Sequence, residues 1–187
     1  MTEHSMISTG AGGESALQAS RPLIEGLRRP GAYPHPTRRV ELLETHCAWV
    51  LLTGEFAFKI KKPVDFGFLD YSTLEKRRFF CQEEIRLNRR FAPQIYLDVV
   101  AIRGEPERPH IGDDGPVLEY AVRMRQFPAD GLLSQLAETG RLEAAHIDQM
   151  IARIADFHRT TGRASPASEY GDPARIHHWV VENFEHV

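Results

Sequence analysis

The chain has 187 residues, 42% hydrophobic and 26% charged, with 23 basic against 26 acidic side chains and a formal charge of −3. These are the values of an ordinary folding sequence with material for a sizeable core, and the near balance of charge excludes a chain whose bulk field is built to hold nucleic acid or an acidic membrane. Two cysteines, Cys47 and Cys81, lie far apart and outside any CxxC pair, which excludes a disulfide framework and a thiolate zinc site; both are expected as buried, reduced thiols.

Residues 1–20, "MTEHSMISTGAGGESALQAS", have no basic start and no apolar stretch, so they are not a secretory signal and are expected as a disordered tail. The longest purely apolar run, "AWVLL", is far too short to cross a bilayer, and a cytoplasmic address follows. "RPLIEGLRRPGAYP" (21–34) predicts a short helix with Leu23, Ile24 and Leu27 on one face, ended by Pro30-Gly31. Residues 39–63 predict three strands, about Val40 to Thr45, then "CAWVLLT", then "FAFKIKK", the last two joined by a tight "TGE" turn.

"DYSTLEKRRFFCQEEIRLNRRFAP" (70–93) is the clearest helix, with Ser72 and Glu75 as a capping box, Phe80, Leu87 and Phe91 at helical spacing, and Pro93 as its stop. Two more strands follow, "IYLDVVAIRG" and "PVLEYAVRMRQF", around a polar loop "EPERPHIGDDG". Beyond "FPADG" only helices are expected, in "ADGLLSQLAETG", "LEAAHIDQMIARIADFHRTTG" and "PARIHHWVVENFEHV". The order predicts an α+β chain: a tail over 1–20, a five-stranded antiparallel sheet bearing one helix over 21–127, and a helical region over 128–187.

The stretch "FAFKIKKPVDFGFLD" (56–70) carries the chemistry. Alternation places Phe56, Phe58 and Ile60 on one face and Ala57, Lys59 and Lys61 on the other. A small residue two positions before a strand lysine is the A-x-K pattern, in which a compact ammonium aims three donors at phosphate oxygens while the alanine leaves room for a flat base. The other reading of Lys59 is a plain edge-strand lysine that blocks sheet-to-sheet pairing. On the helix, Glu84 shares the stripe of Phe80, Leu87 and Phe91. A carboxylate there needs a cation, for which Lys59 is the candidate. Alternatively Glu83 and Glu84 are both exposed and pair with arginines one turn away.

With these residues in place, the segment from "VELLETHCAWVLLTGEFAFKIKKP" to "EEIRLNRR" resembles the start of the aminoglycoside phosphotransferase-like kinases, most closely the bacterial subgroup fused to a C-terminal P-loop ATPase domain. "IYLDVV", "YAVRMRQFP" and "IADFHRTTG" continue the likeness, which covers nearly everything after the tail. The resemblance implies a protein-kinase-like fold: the sheet-bearing N-lobe over 21–127, then the incomplete beginning of a helical C-lobe. ATP would lie in the cleft, with Lys59 as its phosphate-binding lysine, Glu84 as that lysine's helix partner and Ala57 beside the base. Met124, Arg125, Gln126 and Phe127 would form the connector whose backbone meets adenine, with Met124 behind the base. Read from the residues alone, Met124 is core packing and Gln126 and Phe127 are an ordinary strand end.

Two departures stand out. The turn near "ETHCAW" has no glycine, so Thr45, His46 and backbone amides would have to cover the phosphates, or His46 is a solvated turn residue. The family's H-G-D-x-H-x-x-N loop, with its aspartate base and metal-binding asparagine, occurs nowhere in the sequence. The resemblance places it after the last helix, so no catalytic residue and no Mg²⁺ ligand is assigned here. Negligible catalysis is expected of this chain by itself, and its unfinished C-lobe is expected to leave an apolar face open to self-association.

The acceptor would be a small-molecule hydroxyl, and a downstream P-loop ATPase domain is the implied partner in full-length relatives. The competing reading is a non-enzymatic module. Residues 59–90 hold nine basic against five acidic side chains, a patch that would contact an acidic partner or nucleic acid if the charges formed one outward stripe.

Overall fold

A computed structural model describes residues 11–165, 168 and 170–185. It is a mixed α+β structure built on one antiparallel sheet. The strands are β1 (Glu41–Glu44), β2 (Ala48–Leu52), β3 (Phe56–Lys61), β4 (Tyr96–Glu105), β5 (Arg108–Ile111) and β6 (Val117–Arg125). Their order in space is β1-β2-β3-β6-β4-β5, which puts β3 in the interior between β2 and β6. Six strands replace the expected five. The extra one, β5, lies in the segment read as a polar loop. Only Pro109 and Ile111 are buried on it, too few apolar positions for alternation to register. Proline is tolerated there because β5 is an edge strand.

The expected disordered tail is helical over part of its length. Residues 1–10 lie outside the described residues, but Ala11–Ala19 form helix α1, and Leu17 packs against the core. Alanine, leucine, glutamine and glutamate favour helix, and an apolar contact for Leu17 tips a segment whose glycines and serines read as disordered. Helix α2 (Arg21–Leu27) buries Leu23, Ile24 and Leu27 as expected. These side chains join Trp49, Leu51, Phe58, Ile60, Ile102 and Ala121 in the main core, on one face of the sheet.

Gly26 explains how α2 can lie so close. A Cβ there would stand 2.3 Å from Pro109 Cδ and 2.7 Å from Pro109 Cγ, so the helix rests directly on the edge strand. Gly26→Ala is expected to lower stability even though alanine is about 1 kcal/mol better in a helix. The overpacking cost of roughly 1–3 kcal/mol outweighs that gain, because a proline ring cannot swing aside. A urea titration giving the variant equal or higher stability would contradict this.

Helix α3 (Leu74–Asn88) covers the opposite face and contacts β4 and β6. Its cap is Thr73, whose hydroxyl accepts from Lys76 N–H at 3.2 Å, and not Ser72. Ser72 is already spent on Asp70, to which its N–H and hydroxyl both donate. The buried stripe also differs from the expected one. Leu87 and Phe91 are exposed, whereas Cys81 is fully buried and flanked by Arg77 and Glu84, which reach the sheet. The sheet presents charge on this face, so the helix side that complements it is polar, and hydrophobic periodicity could not mark it.

A 3₁₀ turn (Ala129–Gly131) and α4 (Leu133–Glu138) complete a first compact unit, Met1–Leu142. The second unit, Glu143–Val187, holds α5 (Ala144–Thr160) and α6 (Pro173–Glu185). Both are amphipathic. Within this unit Met150, Ile151 and Ile154 of α5, and Ile176, Trp179, Val180 and Phe184 of α6, are exposed. Glu143 starts α5 through a reciprocal cap with His146. Among the described residues, no helix is long and apolar enough to cross a membrane.

Candidate functional site

The register of β3 decides what reaches the α3 face. Lys59 is flanked by Val50 of β2 and Val122 of β6, and Ala57 lies opposite Met124. Phe58 and Ile60 point the other way, into the main core, so Ala57, Lys59 and Lys61 share the face that α3 covers. An interior strand is not where an edge-blocking lysine belongs, so that reading of Lys59 fails.

Glu84 reaches down from the third turn of α3 and takes both lysines at once. Lys59 Nζ donates to Glu84 Oε1 at 2.7 Å and Lys61 Nζ donates to Oε2 at 2.7 Å. The side chains differ in burial: Lys61 is 5% exposed, Glu84 11% and Lys59 31%. The triad is therefore a sealed end, a shared carboxylate and one lysine side chain that stays part-exposed. Burial by itself would raise the Glu84 carboxyl, but the hydrogen bonds and charges of Lys59 and Lys61 outweigh it and hold the carboxyl below its ordinary range. Desolvation would likewise lower Lys61, and the Glu84 carboxylate overcomes it and keeps the ammonium charged. Lys61 also lies 4.8 Å over the Tyr71 ring, with the Tyr71 hydroxyl at 3.4 Å.

Glu83 behaves as the exposed alternative, pairing with Arg86 at 2.6 Å one turn on. Cys81, on the buried side of α3, has its thiol pushed up to about 12 by burial, which makes it inert at neutral pH. Both cysteines are free, Cys81 buried as expected and Cys47 only half-buried.

The connector is tied to the sheet rather than open. Arg125 N–H donates to Ile95 O at 2.8 Å and Gln126 N–H to Glu55 O at 3.0 Å. The Gln126 side chain accepts from Gly54 N–H at 2.8 Å, across the β2–β3 turn. Two of the amides expected to face adenine are thus engaged in the fold. Phe127 follows them, exposed, and Met124 is half-buried between Ala57 and Tyr96, its cross-strand neighbours. The Thr45 hydroxyl closes its own turn with Ala48, and Thr45 O accepts from Lys62 at 2.6 Å; His46 is exposed.

Three residues of this site escaped the sequence reading. Alternation puts Lys61 on the correct face, but nothing in the sequence gives it a partner, and the structure pairs it with Glu84. Tyr96 is half-buried with its hydroxyl pushed up by burial and by the nearby Glu84 charge, and nothing in "IYLDVV" marks it. Arg77 pairs with Glu119 of β6 at 2.8 Å, both nearly buried. An acid in the strand "VLEYAV" was the available signal.

The basic segment does not form a free stripe. Lys62 pairs with Glu44, Lys76 with Asp70, Arg77 with Glu119 and Arg86 with Glu83, while Arg78 lies over the Tyr120 ring. Among the described residues no cluster of three or more His, Cys, Asp or Glu is placed to hold a metal ion.

Comparison with known proteins gives relatives without a described activity. An uncharacterized protein of Mycobacterium bovis and two of Mycobacterium tuberculosis are each 32% identical to the chain over 151 residues. The match covers 79% of this chain but 28% of each relative, so the chain spans less than a third of the curated proteins it resembles. No family model matches the chain. No solved structure matches it either.

Proposed function

We propose that residues 21–127 are the ATP-binding part of a kinase-like phosphotransferase domain, similar to the aminoglycoside phosphotransferase-like kinases, that passes a phosphoryl group to a small-molecule hydroxyl. The observation that supports this most is the Lys59–Glu84 ion pair, 2.7 Å long, made between an interior strand and the helix that follows it, with the lysine still a third exposed. A buried carboxylate holds the lysine at the layer between sheet and helix, and its part-exposed side chain is where an anion would be met. With two cations and one carboxylate, the triad carries a net positive charge, which suits a polyphosphate.

Ala57 and Met124, paired on the same face, supply a small and a soft apolar surface beside the lysine, as a flat base requires. Bound Mg²⁺ would neutralise charge on the β- and γ-phosphates, and its ligands belong to the catalytic loop that this sequence does not contain. The paired state of the basic residues disfavours the alternative of an acidic-partner module.

Titration with a fluorescent ATP analogue tests the proposal. Lys59→Ala is expected to weaken binding by about tenfold to a hundredfold, the usual range for losing a hydrogen bond to a charged group. Folding should persist, because Lys61 still neutralises Glu84. Equal affinity of the two proteins would remove Lys59 from the site.

A further inference from the structure

A single lysine–glutamate pair has a drawback as a phosphate receptor. If Lys59 leans toward an anion, a lone buried Glu84 would be left without its cation, and an uncompensated buried carboxylate is strongly unfavourable. Such a pair resists the movement that binding needs. The triad removes that resistance. Lys61 holds the second carboxylate oxygen at 2.7 Å, is itself sealed from solvent, and is pinned from its other side by Tyr71. Were Lys59 to lean away, Glu84 would keep a countercharge in Lys61.

We infer that Lys61 is a positioning residue: it is the resident counter-ion of Glu84, and its charge is what releases Lys59 to engage an anion. The inference rests on the proposed ATP-binding reading for the identity of that anion, but the division of labour between the two lysines follows from their burial and shared partner. Lys59 is the deliverable charge because it alone of the three keeps substantial exposure. Lys61 is the fixed one.

The test compares wild type with Lys61→Met, Lys61→Gln and Lys61→Arg. Limiting acetic anhydride, with peptide mass spectrometry, reads how readily the Lys59 amine reacts. With Lys61 neutralised, Glu84 has Lys59 as its sole cation and grips it more firmly, so acetylation of Lys59 should slow by about tenfold. Lys61→Arg keeps the charge and should restore the wild-type rate. A merely structural role for Lys61 predicts the opposite sign, since loosening the site would expose Lys59 and speed its acetylation. Lys61→Gln serves the same purpose if the methionine variant does not fold.

Acetylation of Lys59 that is equal or faster in the folded neutral variant overturns the inference. The ATP-analogue titration on the same proteins should show about tenfold weaker binding by Lys61→Met, again restored by Lys61→Arg. If wild type itself binds no ATP analogue, the proposed function fails, while the acetylation rates still decide the role of Lys61.

Discussion

Glu84→Ala is expected to destabilise the protein by about 3–5 kcal/mol, the range found when one member of a buried ion pair is removed. The loss is large because two cations are stranded together. Lys61, 5% exposed, would keep an ammonium beneath α3 with only the Tyr71 ring and hydroxyl for company, next to Lys59. Urea unfolding at neutral pH measures the difference, and a change below about 1 kcal/mol, the value typical of exposed pairs, would show that the triad is solvent-screened rather than buried.

The pH dependence sharpens this prediction. The folded-state pKa of Glu84 lies below its ordinary value of 4.5, so its contribution is complete above that value and is lost as pH falls through the depressed one. The folded-state pKa of Lys61 lies above 10.5, so its contribution is complete below that and is lost as pH rises past the elevated one. Both limbs belong to the same contact. The alanine variant should therefore lose the acid slope, and at the alkaline end its stability should hold or recover as the stranded Lys61 gives up its proton; retention of both wild-type slopes would place their origin elsewhere.

Arg77→Ala is the second large effect, also about 3–5 kcal/mol at neutral pH. Arg77 is the cation that meets Glu119, and the carboxylate is 7% exposed inside the sheet–helix layer. Here burial dominates: it raises the Glu119 carboxyl above its ordinary range even with the arginine hydrogen bond and charge pulling it down. Without Arg77 the carboxyl must rise further, so the variant should take up a proton on folding. Its stability deficit should then shrink as pH is lowered, because protonation removes the stranded charge. The measurement is urea unfolding across the acid range. A deficit that grows toward low pH would contradict the assignment, since that is the behaviour of a carboxylate still held in its charged form.

The two acids beneath α3 thus respond to acid in opposite senses, and the reason is the number of cations each receives. Glu84 has two ammonium groups and is held ionised. Glu119 has one guanidinium and a deeper position, and desolvation wins. No count of charges in the sequence could rank them, because the ranking depends on how many donors converge on each oxygen pair and how much water is excluded.

How much of this was legible from the sequence varies by element. Period-two alternation in "FAFKIKK" sorted Phe58 and Ile60 from Ala57, Lys59 and Lys61 correctly, because a strand's geometry allows only two faces. The "TGE" turn was readable because Gly54 adopts a φ of 96°, which glycine accepts without strain. On α3, apolar spacing selects Phe80, Leu87 and Phe91 beside Glu84, while the sheet takes Arg77, Cys81 and Glu84; Phe80 is half-buried against Tyr71, but Leu87 and Phe91 are exposed. Glu84 lay in both sets. It was found through its proximity to an apolar stripe, and its true surroundings are charged.

By itself, then, the chain's residue order determined the α+β class, the inward lysine and the acidic helix after it, because backbone periodicity and capping chemistry are local. Tertiary structure alone decided that one carboxylate serves two lysines, that β3 is interior, that Arg125 and Gln126 amides are taken up by the sheet, and that Arg108–Ile111 close its far edge. Those outcomes depend on which distant groups meet in low dielectric. A contact between residues 25 positions apart carries no mark in either neighbourhood until the sheet and helix have packed.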